Sequence, residues 1–129
     1  MKRLGVLLTI AVLAGCSTKD TQSTSHATSS ADGLAVSVAF SPDPPKQGPE
    51  TITVSIKDAQ GGTIKGATVH IRTTMPQMAM SGPTLSAQDN GDGTYSAQTN
   101  LNYTTKWVFD ISASAQGKTV KSQITEDIR

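Results

Sequence analysis

From Leu34 onward the apolar residues return at every second position and no stretch sustains a helical period, so the chain is confined to strands. Leu34, Val36, Val38 and Phe40 alternate with small or polar residues until "SPDPPKQGPE" breaks the run. Ile52, Val54 and Ile56 follow, then the turn "DAQGGTIKG", then Ala67, Val69 and Ile71 with Thr68, His70 and Arg72 on the other face. A weak strand around Leu85 to Gln88 leads into "DNGDGTY", whose Asn-Gly and Asp-Gly pairs supply the positive backbone angles of a tight turn. Tyr95, Ala97 and Thr99 share one face, Trp107, Phe109 and Ile111 another, and Val120 and Ile124 mark a last strand after Gly117-Lys118. Short strands punctuated by turns predict an all-β, antiparallel immunoglobulin-like sandwich of about seven strands over residues 34–129. With only five aromatic residues, its core must rest on Val, Ile, Leu and Ala around Trp107 and Phe109.

The ends of the chain carry a different message. Met1-Lys2-Arg3 and the apolar run Leu4 to Leu13 have the layout of a secretory signal peptide, too short for the roughly 20 residues of a spanning helix. Leu13-Ala14-Gly15-Cys16 resembles the bacterial lipoprotein box, which implies a signal peptide at 1–15 and lipidation of Cys16; the alternative is an ordinary signal peptide with a chance cysteine. Lipid chains would tether the protein firmly to the bilayer on the extracytoplasmic side, at the outer membrane if the source is Gram-negative. Residues 16–33 then read as the lipidated cysteine and a flexible Ser/Thr-rich spacer, because "STKDTQSTSHATSSADG" has no side chain large enough to offset ordering entropy. His26 in that spacer reads as an incidental solvated residue.

Several functions are excluded or disfavoured by what is missing. Cys16 is the only cysteine, so there is no internal disulfide, and once lipidated no thiolate remains for catalysis or metal binding. Removing Lys2 and Arg3 from the 11 basic side chains leaves 9 against 10 acidic ones, which is not the basic surface a nucleic acid demands. General acid-base chemistry would have to use His26 or His70, the only histidines, and the sequence holds no G-x-S-x-G elbow, phosphate loop or H-E-x-x-H pair. The chain therefore reads as a non-enzyme. Asp89, Asn90 and Asp92 hint at a calcium loop, but the acid required several positions on is replaced by "YSAQ", so they read as turn residues.

The segment "MPQMAM", residues 75–80, holds three of the four methionines. Thioether sulfur is soft, uncharged and needs no deprotonation, which suits Cu(I). Pro76 disfavours a continuous helix, and in an extended segment Met78 and Met80 would project to one side. Met75 would join them if the chain bends at Pro76-Gln77, and His70 could reach in from the polar face of the preceding strand, giving the candidate metal set Met75, Met78, Met80 and His70. The competing reading packs the methionines into an irregular gap at one end of the sandwich and leaves His70 as a surface strand residue.

The order "FSPDPPKQGPETITVSIKDAQGGTIKGATVHI", "MPQMAM", "GDGTYSAQTNL" and "KWVFDI" resembles the YtkA-like domain, related to the FixH-like proteins, over about residues 34 to 127. The landmarks are the proline-glycine approach to the second strand, the D-x-x-G-x-x-x-x-x-A segment, the methionine-rich loop, the G-x-Y turn and the Trp strand. The usual G-x-W approach is replaced by Tyr103-Thr104-Thr105-Lys106-Trp107, which puts the conformation of that turn in question. The resemblance implies a small, often lipidated or membrane-anchored module, and the link of FixH-like proteins to assembly of a copper-containing oxidase implies Cu(I) delivery, buffering or resistance. The alternative is a metal-free module docking on a membrane protein complex, such as an efflux system or an oxidase under assembly.

Overall fold

The computed structural model describes residues 27–31 and 33–129. The expected signal peptide at 1–15, Cys16 and His26 lie outside the described residues. Among the described residues, nine strands form two antiparallel sheets: β1 (Ala27–Ala31), β2 (Leu34–Ser41), β3 (Gly48–Asp58), β4 (Thr68–Met75), β5 (Met80–Ser86), β6 (Gln88–Asp89), β7 (Thr94–Leu101), β8 (Lys106–Ala115) and β9 (Lys118–Asp127). One sheet runs β1-β2-β3-β7-β6 and the other β5-β4-β8-β9. This is the antiparallel, immunoglobulin-like sandwich that the alternation predicts.

Each period-two run buries the face its sequence assigns to it. In β2 and β3 the residues Leu34, Val36, Val38, Phe40, Ile52, Val54 and Ile56 are buried while their neighbours face outward. In register, Val36 pairs with Ile56 and Phe40 with Ile52, and Ile71 pairs with Ile111 across the second sheet. Among the described residues the buried hydrophobics belong to one cluster running from Leu34 to Ile128. Phe40 and Phe109 meet between the sheets with ring centroids 5.2 Å apart, and Trp107 stacks on Phe109 at 6.3 Å.

Two strands exceed the expected seven, and one of them corrects the domain boundary. The spacer expected to reach residue 33 enters the sheet at Ala27, where β1 pairs with β2 from Ala27↔Val38 to Ala31↔Leu34. Its sequence "ATSSA" has no large apolar residue, so no side-chain period reveals it; the strand is held by backbone hydrogen bonds to an edge that would otherwise be open. Only two residues separate Ala31 from Leu34, and Gly33 at φ 78° supplies the positive angle that so tight a hairpin requires. The other addition, β6, is two residues long and pairs Gln88 and Asp89 with β7.

Tyr95 ties the loop before β4 to the core. Its buried hydroxyl donates to the Ile64 carbonyl at 2.8 Å and accepts the Ala67 amide at 3.0 Å, which satisfies two loop groups inside the sandwich. At the opposite end, the Tyr103 carbonyl accepts both the Thr105 amide at 3.1 Å and the Trp107 indole Nε1–H at 2.9 Å. The glycine missing before the tryptophan is thus replaced by a loop that folds back on the ring it introduces.

Candidate functional site

The methionine segment forms the tip of the β4–β5 hairpin. β4 ends at Met75; Pro76, Gln77 and Met78 make a single 3-10 turn, for which proline at the first position is pre-set. Ala79 then adopts the left-handed conformation (φ 49°, ψ 38°), its amide donating to the Pro76 carbonyl at 3.2 Å, and Met80 opens β5 directly opposite Met75. The bend expected at Pro76-Gln77 is present. The extended run that would align Met78 with Met80 is not, because the 3-10 turn and Ala79 intervene.

The three thioethers occupy unlike environments. Met75 continues the inward parity of Val69, Ile71 and Thr73 and is 2% exposed, whereas Met78 and Met80 are 40% and 41% exposed. Met75 follows the last paired position of β4 with β8, Thr74↔Val108, and so lies in the layer of Trp107. Gly82 on β5 closes against the same ring: a Cβ there would come 3.3 Å from Trp107 and collide with the Thr73 hydroxyl, which donates to the Pro83 carbonyl at 2.7 Å. That contact sits where the β4–β5 register shifts between Arg72 and Thr74, so the bulge and the glycine together let β5 cross the indole.

The loop from β7 to β8 flanks the tip. The Thr105 hydroxyl donates to Gln77 Oε1 at 3.3 Å, and Tyr103 is 42% exposed. Met78, Met80 and Tyr103 are the exposed large hydrophobics among the described residues, and this one end of the sandwich holds all three. Sequence reasoning passed over Tyr103; its signal was an aromatic residue placed off the strand alternation, in a polar turn.

His70 does not join the methionines. It lies on the outer face of β4, five residues from Met75 and of opposite parity, about 17 Å along the strand. There its Nδ1 sits 3.3 Å from the Ser86 hydroxyl across the β4–β5 pair. The four-residue set read from the sequence therefore divides into two exposed thioethers, one thioether in the core and one remote histidine.

The carboxylates of the acidic turn accept amides from two loops and one hydroxyl. Asp89 accepts the Gly91 amide at 2.7 Å and the Gly66 amide at 2.9 Å, and Asp92 accepts the Thr94 amide at 3.0 Å together with the Thr94 hydroxyl. The amides of Gly91 and Gly66 hold the Asp89 carboxyl below the usual carboxylate range, and the Thr94 hydroxyl, then its amide, do the same for Asp92. Among the described residues no group of three or more His, Cys, Asp or Glu side chains is placed to hold a metal ion.

With this geometry in hand, the sequence pattern of the YtkA-like family matches residues 28–112, about two thirds of the chain and all but the last strand and the end of β8. The chain belongs to the YtkA-like family. No curated protein matches it at the sequence level. Solved structures similar to this YtkA-like domain include an engineered protein (TM-score 0.54, 16% identity, 71% of this chain), of which the chain spans only 20%. The soluble domain of PmoD from Methylocystis sp. ATCC 49242 (Rockwell) is similar with TM-score 0.55 and 12% identity over 79% of this chain and 96% of that one. A copper-bound variant of FetP from uropathogenic Escherichia coli strain F11 is similar with TM-score 0.56 and 7% identity over 81% and 90%. At these identities the likeness is one of fold. Among the described residues no helix is long and apolar enough to cross a membrane.

Proposed function

We propose that this YtkA-like protein is an extracytoplasmic lipoprotein, anchored through Cys16, that binds Cu(I) at the β4–β5 hairpin tip in metal delivery, buffering or resistance. It is a binding protein and not an enzyme. The observation that carries the reading is the exposure of Met78 and Met80: methionines recruited as gap fillers would be buried, as Met75 is, yet these two stand at 40% and 41%. The donor chemistry fits a soft ion, since neutral thioethers suit Cu(I) and no cluster of harder ligands competes among the described residues. Met78 and Met80 would hold the ion, while Met75 is buried beneath the tip in the layer of Trp107. The fold likeness to a copper-bound FetP variant is consistent with this assignment.

The test is an anaerobic Cu(I) titration of residues 17–129 against a competing chelator. Binding of about one ion, retained in Met75→Leu and lost in a folded Met78→Leu/Met80→Leu variant, is the expected result. Equal weak binding by the parent and the double variant would remove copper from the account. A second reading draws on the same end of the molecule, where Met78, Met80 and Tyr103 expose apolar surface suited to docking on a membrane protein complex. Such a module would keep its partner through Met→Leu changes and lose it on Tyr103→Asp or Met80→Asp.

A further inference from the structure

The outer face of the β5-β4-β8-β9 sheet, remote from the methionines, carries a second grouping of chemistry. A cleft of about 500 Å³ lies over β4, β8 and β9, lined by His70, Arg72, Asp110, Ser112, Lys121 and Gln123 among others. Its volume falls in the roughly 300–1,000 Å³ range of small-ligand sites. The register builds it in two rows: Arg72, Asp110 and Gln123 stand side by side, and next to them His70, Ser112 and Lys121.

The charges in these rows are not used up within the sheet. Arg72 is paired in register with Asp110, the placement that ordinarily yields a cross-strand ion pair, yet no ion pair joins Arg72, Asp110 or Lys121 to any described residue. Asp110 instead accepts the Gln123 side-chain amide at 2.7 Å. With β8 between them and two residues of offset, the Arg72 and Lys121 backbones are about 12 Å apart. Both side chains are long and line the same cleft, so both can reach one group held over β8, beside the Asp110 carboxylate that accepts the Gln123 amide. A guanidinium fork, an ammonium and hydroxyls constitute a donor set for an oxyanion, the guanidinium taking two of its oxygens at once.

We propose that this cleft binds a small oxyanion, a phosphate or carboxylate group, through Arg72 and Lys121, with His70 and Ser112 as additional polar contacts. The proposal is independent of copper and of the hairpin tip. The anion could belong to a soluble metabolite or to the headgroup of an anionic phospholipid, and the experiment separates the two.

Isotope-labelled residues 17–129 are titrated with inorganic phosphate and, separately, with citrate at about 0.15 M salt, where diffuse attraction is screened beyond about 8 Å. The same protein is cosedimented with phosphatidylglycerol and with phosphatidylcholine vesicles. Each measurement is repeated on Arg72→Gln/Lys121→Gln and on Lys57→Gln/Lys65→Gln, which removes equal charge elsewhere. The expected result is saturable amide shifts confined to β4, β8 and β9, or phosphatidylglycerol-dependent sedimentation, weakened at least about tenfold in the Arg72/Lys121 variant and unchanged in the Lys57/Lys65 variant. Shifts with soluble anions name a metabolite; sedimentation alone names the headgroup. No localised response to any probe, or an equal loss in both variants, overturns the site.

Discussion

Replacing Met75 with alanine separates the roles of the three methionines without any metal present. Met75 is 2% exposed between Thr73 and the Trp107 layer, and Thr73 and Phe109 nearby are fully buried, so the neighbours have little freedom to close the vacated space. Truncating a buried methionine costs about 2–5 kcal/mol, and so rigid a setting places this one near 3 kcal/mol. Met78→Ala and Met80→Ala remove side chains already in partial contact with water and should cost less than about 1 kcal/mol each. The assay is urea unfolding of the chelator-treated protein, followed through the fluorescence of Trp107, the single tryptophan. At a slope of about 1–1.5 kcal/mol/M, Met75→Ala should lower the midpoint by about 2–3 M with the slope unchanged, and the other two by well under 1 M. A domain of this size has about 5–15 kcal/mol in hand, so each variant remains measurable. If Met75→Ala costs no more than Met78→Ala, the assignment of Met75 to the core is wrong, and with it the division of the cluster into one buried and two exposed thioethers.

Three further outcomes follow from the same packing. Tyr95→Phe keeps the ring but strands the Ile64 carbonyl and the Ala67 amide, and should cost about 1–3 kcal/mol in urea unfolding; a loss under 0.5 kcal/mol would mean that water replaces the hydroxyl. Gly93→Ala should be worse than Gly91→Ala although both have φ near +85°, because only at Gly93 would the new Cβ press on Thr63, at 2.5 Å; comparing their thermal midpoints checks this, and equal losses would refute the contact. Since hydrogen bonds hold the Asp89 and Asp92 carboxyls below the ordinary carboxylate range, the stability they contribute is complete above the unfolded value and is lost as pH falls through the lower folded values. Asp89→Asn/Asp92→Asn should therefore flatten the fall in urea midpoint below about pH 4, and an unchanged slope would count against the turn hydrogen bonds as its cause.

The sandwich was legible because burial on one face imposes a period of two, and every run read this way, from Leu34–Phe40 to Val120–Ile124, forms a strand. What escaped was structure that does not depend on side-chain burial. β1 lies in "ATSSA", where backbone pairing alone fixes the strand, and a rule that equates polar composition with spacer passes over it. The segment "DNGDGTY" forms the tight turn that its Asn-Gly and Asp-Gly pairs predict, with Asp89 accepting the Gly91 and Gly66 amides and Asp92 the Thr94 amide.

The candidate site was legible only in part, and the reason differs for each residue. Parity alone carries Met75 into the core and His70 to the opposite face: positions 69, 71, 73 and 75 share one side, so no bend at Pro76 can bring His70 into a sulfur cluster. That signal was in the sequence, obscured by treating the methionines as one segment when Met75 is still strand. The exposure of Met78 and Met80 was not legible, because they flank Ala79 in a left-handed conformation that alanine ordinarily avoids at a cost of about 1–2 kcal/mol. The hairpin accepts this strain between two water-facing thioethers, while the third is buried in the layer of Trp107. Under the proposed Cu(I) role, Met78 and Met80, and not the full cluster, are therefore the residues whose loss would remove binding.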